Sequence, residues 1–97
     1  MRPAEAGNLG TLSFERYCNA KYSYSIAAIY GHAQVFQNHV RGVRCVRYEW
    51  VGGAYGWMLT GIFDIDVNEA CRWQTGRSNA KAWYTNVNNP NSWYCYT

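Results

Sequence analysis

Aromatic rings and side-chain amides crowd the last quarter of this chain. Trp73, Trp83, Tyr84, Trp93, Tyr94 and Tyr96 stand among Asn86, Asn88, Asn89 and Asn91. A sugar ring has an apolar CH face that stacks on Trp or Tyr, and hydroxyls that pair with amide donors and acceptors. Trp83, Tyr84, Asn86, Asn88, Asn89, Asn91, Tyr94 and Tyr96 are therefore the candidate ligand-binding residues, for a neutral carbohydrate. On an extended terminal segment Trp93 shares a face with Cys95, while Tyr94 and Tyr96 share the other. Trp93 thus reads as core, and Tyr94 and Tyr96 as outward. A second candidate is the run from Trp50 to Trp57, in which Gly52, Gly53 and Gly56 are framed by Trp50, Tyr55 and Trp57. It reads as a recognition loop with aromatic tips, such as a secreted inhibitor or toxin-like protein presents to a protein partner.

Catalytic groups are sparser. Glu49, Asp64, Asp66 and Glu69 are the carboxylates that an acid/base pair for glycosidic hydrolysis would draw on. Asp66 and Glu69 have the spacing of a helix cap, and Glu49 lies among arginines that would pair with it. Nothing brings two carboxylates together, so the domain is read as non-enzymatic. His32 and His39 flank a turn and would serve as a base beside Cys18 or Cys45; that arrangement fails once those cysteines are oxidised. The four cysteines show no Cys-x2-Cys and no His at ligand spacing, so no metal site and no cofactor are expected.

The chain of 97 residues is long enough for one domain with a modest core. Nine Tyr and five Trp supply apolar area with polar tips. Charged residues make up only 15 %, which suits neutral ligands better than ionic ones. The net charge of +3 is too small for a nucleic-acid footprint. Arg41, Arg44 and Arg47 cluster in sequence, but on a strand Arg44 faces away from the other two. No apolar run approaches the ~18 residues of a membrane span. Four cysteines in a small Asn- and Tyr-rich chain fit an oxidised, extracellular protein. Met1–Gly7 holds no apolar leader, so either Met1 stands in for a removed signal or the chain is not exported.

These residues need elements to position them. Residues 1–10 carry Pro3, Gly7 and Gly10 without periodicity and read as a flexible arm. Ser13 caps a helix over 14–22, with Phe14, Tyr17 and Cys18 on one face. Residues 26–30 are strand-forming and end at Gly31, residues 33–36 continue them or make another strand, and 40–50 is the longest strand candidate. Residues 57–59 and 62–65 are extended. Asp66 to Glu69 starts a helix over 67–75, which Gly76 ends. Residues 80–85 and 92–96 are strands joined by the Asn-rich turn.

The two halves follow one plan. Leu12 and Ile65 each stand six residues before a cysteine, and Phe14 and Val67 four before it. Cys18 then matches Cys71, Ala28-Ile29-Tyr30 lies over Ala82-Trp83-Tyr84, and Cys45 matches Cys95. Four cysteines allow three pairings, and the repeat selects Cys18–Cys45 and Cys71–Cys95. The expected fold is α+β: repeats 11–50 and 61–97, joined by the Gly-rich loop, share one antiparallel sheet with both helices on one face; two separate small lobes are the alternative, and an all-β fold follows if the Cys-bearing helices do not form. Where the first half has Ile29 and Arg44, the second has Trp83 and Tyr94, so the second half is expected to carry the single good site.

The string Asp66-Val67-Asn68-Glu69-Ala70-Cys71-Arg72-Trp73-Gln74, with Asn89-Pro90-Asn91-Ser92-Trp93-Tyr94-Cys95-Tyr96, resembles a small Cys-paired module of secreted actinobacterial and fungal proteins. There Ala-Cys-x-x-Gln-Tyr-Gly is followed by Tyr-Ser-Trp-x-Cys. Thr75 and Asn91 stand here where that pattern has its tyrosines. The resemblance covers about a third of the chain. It implies secretion and paired cysteines, and carries no activity or ligand.

Overall fold

The computed structural model describes residues 7–24 and 28–97. In chain order the elements are β1 (Asn8–Thr11), α1 (Phe14–Tyr22), β2 (Ile29–Val35), β3 (Val43–Trp50), β4 (Trp57–Phe63), α2 (Val67–Thr75), β5 (Lys81–Tyr84) and β6 (Trp93–Tyr96). Both helices form where capping residues start them. Ser13 Oγ accepts the Arg16 N–H, and the Asp66 carboxylate accepts the Glu69 N–H. Gly76 ends α2 in the left-handed conformation, donating its N–H to Arg72 O at 2.9 Å.

The strands make two three-stranded antiparallel sheets, not one shared sheet. The first has the order β2-β3-β4 and the second β1-β6-β5. The flexible-arm expectation fails at Asn8–Gly10, which lie in β1 and pair with β6; residues 1–6 lie outside the described residues. Ser25, Ile26 and Ala27 lie outside them too, so the strand expected over 26–30 is testable only from Ala28 on. There β2 runs through Gly31 instead of ending at it. The Gly-rich loop does not join the halves. It closes the β3–β4 hairpin, so β4 belongs to the first sheet, and the crossing to the second half falls at residues 64–66.

Each sheet is covalently tied to one helix through its middle strand. Cys18 of α1 is bonded to Cys45 of β3, and Cys71 of α2 to Cys95 of β6, with Cα–Cα distances of 5.3 and 5.5 Å. Opposite each strand cysteine stands an alanine on the neighbouring strand, Ala33 against Cys45 and Ala82 against Cys95. Ala33 and Ala82 thus hold matching places beside their cysteines, whereas the alignment read off the sequence set Ala28 over Ala82. Helix α1 lies directly on its sheet: a Cβ at Gly31 would stand 2.3 Å from Cys18 O, closer than atoms can approach. The core runs continuously between the halves, from Leu12, Phe14 and Tyr17 through Val40 and Val43 to Ala70 and Trp93. Trp93 is 2 % exposed, as its shared face with Cys95 requires, and its indole N–H donates to Val40 O at 2.8 Å.

The strand edges explain why the sheets stay separate. Side chains at the helices take the outer backbone groups of β2. Ser23 Oγ accepts the Gly31 N–H at 2.9 Å, Asn19 Nδ2 donates to Gly31 O at 3.1 Å, and the Glu15 carboxylate accepts the Ala33 N–H at 2.9 Å. Asn68 does the same for β5 through the Ala82 N–H, also at 2.9 Å. Bulges interrupt β1 between Asn8 and Gly10 and β4 opposite Arg47 and Tyr48. The outer edges of β2 and β5 are thus blunted against further strand pairing, and bulges bend β1 and β4.

Gly31→Ala is expected to lower stability by about 1–3 kcal/mol, the cost of overpacking. Replacing Cys18 and Cys45 together by Ser is expected to cost about 3 kcal/mol. Urea unfolding of each variant checks both values, and peptide mapping of the unreduced protein checks the pairing.

Candidate functional site

Register defines a face of the first sheet that, among the described residues, no helix covers. Cross-strand partners share a face. Tyr30 pairs with Tyr48 and Tyr48 with Leu59, His32 with Val46 and Val46 with Ile62, and Trp50 with Trp57. Cys45 and its disulfide to α1 mark the opposite face, so this set points away from the helix. Four rings enclose a shallow cleft of about 420 Å³: Tyr30, His32, Tyr48 and Trp57. The Tyr30 and Trp57 rings are 5.1 Å apart, Trp57 and Trp50 5.6 Å, and His32 and Tyr48 6.3 Å. Beside them Leu59 and Ile62 are about half exposed.

The hairpin from Val51 to Gly56 extends this face. Its chain reversal uses left-handed backbone at Gly52 (φ 77°) and Gly53 (φ 58°), conformations that cost a side-chain-bearing residue roughly 1 kcal/mol or more. Val51 N donates to Gly56 O at 3.0 Å and closes the turn. Tyr55 stands at its tip, 77 % exposed. The residues expected to meet a protein partner thus come together: Trp50 and Trp57 in one aromatic cluster, Tyr55 just beyond it. Tyr30, His32, Tyr48, Leu59 and Ile62 were missed. The signal was there in part, since Tyr30 and His32, like Tyr48 and Trp50, alternate in period two. Which face a helix would cover was not readable.

The carbohydrate set of the second half does not converge in the same way. Trp83 is 48 % exposed and stacks on Tyr84 at 4.8 Å, although alternation along β5 puts them on opposite faces. Tyr94, expected to point outward, is only 9 % exposed. It is packed between Trp83 and Thr11 across the strands and lies 6.2 Å from the half-buried Tyr96, because β1 occupies what sequence reading left as an open edge. The asparagines serve the turn. Asn86 Oδ1 accepts the Asn88 N–H at 3.0 Å, Asn89 Oδ1 accepts the Asn91 N–H at 2.9 Å, and Ser92 Oγ donates to Asn86 O. All four asparagines are exposed, with the Oδ1 of Asn86 and Asn89 committed to the turn.

Carboxylates are dispersed. Asp64 pairs with Arg44, Glu49 approaches Arg47 at 3.8 Å, and Asp66 caps α2. Glu69 does not return to the Asp66 N–H as a capping box would. It closes a triangle between the helices instead: the Tyr17 hydroxyl donates to Glu69 Oε2, and Lys21 Nζ donates to Glu69 Oε2 at 3.0 Å and to the Tyr17 hydroxyl oxygen at 2.9 Å. The Tyr17 and Lys21 bonds hold the Glu69 carboxyl below the usual carboxylate range. Burial, then the bond to Glu69, pushes Tyr17 up, and the bonds to Tyr17 and Glu69 push Lys21 up. His32 Nδ1 is held by Glu15 at 2.7 Å, and His39 Nδ1 accepts the Arg41 N–H at 3.0 Å. All four cysteines are oxidised, so neither histidine has a thiol to activate. Among the described residues no group of three or more His, Cys, Asp or Glu could hold a metal ion, and no helix is long and apolar enough to cross a membrane.

The chain matches no protein-family model, no curated protein and no solved structure.

The triangle makes stability depend on pH at both ends. A lowered carboxyl contributes stability above its unfolded pKa and loses it as pH falls through the folded value. Raised Tyr and Lys groups contribute below their unfolded pKa values and lose it as pH rises past about 10. Glu69→Gln is expected to flatten the acid limb below about pH 4 without abolishing it, because Glu15 is also held low. Both carboxylates are about half exposed, so the effect stays within about 1 kcal/mol. Urea midpoints of both proteins measured from about pH 3 to about pH 7 check the acid limb.

Proposed function

We propose that this is an exported, non-enzymatic binding domain that docks a protein partner on the uncovered face of its first sheet. The observation that carries the reading is the makeup of that face. Tyr30, Trp50, Trp57, Leu59 and Ile62 are each about half exposed and adjoin one another through the strand register. At about 100 Å² for each half-exposed ring or branched side chain, the face offers on the order of 500 Å² of apolar surface, the scale at which a patch is functional. Leu59 and Ile62 gain nothing from a hydrated sugar, whereas a protein partner would bury them. Aromatic anchors with aliphatic neighbours are the makeup of an interface hot spot. The β2 edge beside this face is taken by Glu15, Asn19 and Ser23, so a partner there packs on the face and does not add a strand.

Carbohydrate binding through Trp83, Tyr84, Asn86, Asn88, Asn89, Asn91, Tyr94 and Tyr96 is the weaker reading, since the turn uses Asn86 and Asn89 and Tyr94 is packed away. Export is supported by two disulfides in a small domain, which suit an oxidising compartment. The same reading treats the two halves as degenerate copies of one plan, supported by the matched cysteine and alanine registers, with the binding face on the first copy alone.

A photocrosslinker placed at position 55 is expected to capture a discrete partner from extracellular material, and one at position 83 to capture none. Trp57→Ala should weaken that capture by about tenfold or more, as loss of an anchor does. Equal capture from both positions, or capture indifferent to Trp57, would overturn the proposal.

A further inference from the structure

Between the helices lies an indole that neither the core nor the first-sheet face uses. Trp73 of α2 is 45 % exposed. Shallow depressions flank it on both sides. One, of about 410 Å³, is lined by Glu15, Arg16, Asn19, Ala20 and Trp73. The other, of about 250 Å³, is lined by Tyr17, Ala20, Lys21, Glu69 and Trp73. Helical spacing builds this wall. Glu15 with Asn19, and Tyr17 with Lys21, stand four residues apart on α1, so their polar groups rise side by side. Ala20 contributes only a methyl and leaves room beside the ring.

The polar groups around the indole are already held in place. Glu15 accepts the Ala33 N–H at 2.9 Å and meets His32 Nδ1 at 2.7 Å. Asn19 Nδ2 donates to Gly31 O. Lys21 and Glu69 are locked to each other and to the Tyr17 hydroxyl. The Arg16 guanidinium lies 5.9 Å from the Trp73 ring, and the Tyr17 ring meets it edge-on at the same distance. Glu15 and Glu69 stand against Arg16 and Lys21, so these lining groups carry no net charge that would favour an ionic ligand. Burial raises the Glu15 carboxyl, but the Ala33 N–H and His32 outweigh it and hold the group low. Glu69 is held low too, so both carboxylates stay ionised at neutral pH and accept hydroxyl protons.

We propose that the Trp73 groove is a binding site for a neutral saccharide, separate from the protein-docking face. One pyranose lays its CH face against the indole in the larger depression, where its hydroxyls pair with Glu15 and Asn19. An aromatic face ringed by fixed donors and acceptors meets both halves of a sugar's chemistry. The first-sheet cleft, lined by rings, meets only one.

The indole N–H signals of the five tryptophans report the site directly by NMR. The probes are mono- to tetrasaccharides of glucose, galactose, mannose and N-acetylglucosamine, titrated into the oxidised protein. At least one series is expected to move the Trp73 signal saturably while Trp50 and Trp57 stay in place. Trp73→Ala should weaken binding by about tenfold or more, and Trp73→Phe, which keeps a stacking ring, should retain most of it. Absence of any Trp73 shift, or an affinity unchanged in Trp73→Ala, overturns the site. A shift confined to Trp83 overturns it as well and returns sugar binding to the Asn-rich turn.

Discussion

Two bonds between a helix and the middle strand of a three-stranded sheet, Cys18–Cys45 and Cys71–Cys95, hold this molecule in register. A three-stranded sheet with one short helix buries little apolar area, and units of roughly 40 residues usually need a cross-link or a partner. Here each cysteine sits at the centre of its contact and is fully buried. Once the helix is fixed over the middle strand, the small residues opposite, Ala33 and Ala82, and the bare backbone at Gly31 let it approach closely. The covalent link and the small residues are one device, since a bulkier side chain there would push the helix away from its strand.

The halves then join through polar side chains as much as through apolar packing. Gln74 of α2 donates to Thr11 O and accepts the Ser13 N–H, each at 2.8 Å, so its amide works as a short piece of strand against the segment between β1 and α1. Tyr17, Lys21 and Glu69 link α1 to α2. Trp93 and Val40 bond the second sheet to the loop before β3, with Val40 N–H also donating to Val87 O at 2.9 Å. These contacts place both helices in the middle and leave the outer face of the first sheet bare. The apolar face and the capped β2 edge belong together: a domain that exposes rings and branched chains limits open-ended association where it closes a strand edge.

Much of the local structure was legible. Ser13, Asp66 and Gly76 mark helix ends because capping is a property of neighbouring residues, and both helices run over the expected 14–22 and 67–75. The cysteine pairing followed from comparing the halves, and Trp93 as core followed from its shared face with Cys95. The site was less legible. Asparagines in a row look like ligand groups until the turn they build is seen to use Asn86 and Asn89, and Tyr94 looked outward because nothing local indicates that β1 returns to lie beside β6.

What neighbouring residues decide among themselves, the linear chain already contained: caps, turns, strand alternation and the cysteine spacing act over a few residues or repeat along the chain. What depends on distant segments meeting had to wait for the folded molecule. Strand alternation divides Tyr30, Tyr48 and Trp57 from their neighbours, but whether their side is covered depends on where α1 is anchored. Glu69 reads as a cap from its spacing to Asp66, yet it spends its carboxylate on a tyrosine and a lysine of the other helix. One shared sheet or two was likewise undecided until Asn19, Ser23, Glu15 and Asn68 were seen to occupy the edges that a shared sheet would need. Hydrogen-bonding capacity is local, but its use is settled only by which partner arrives.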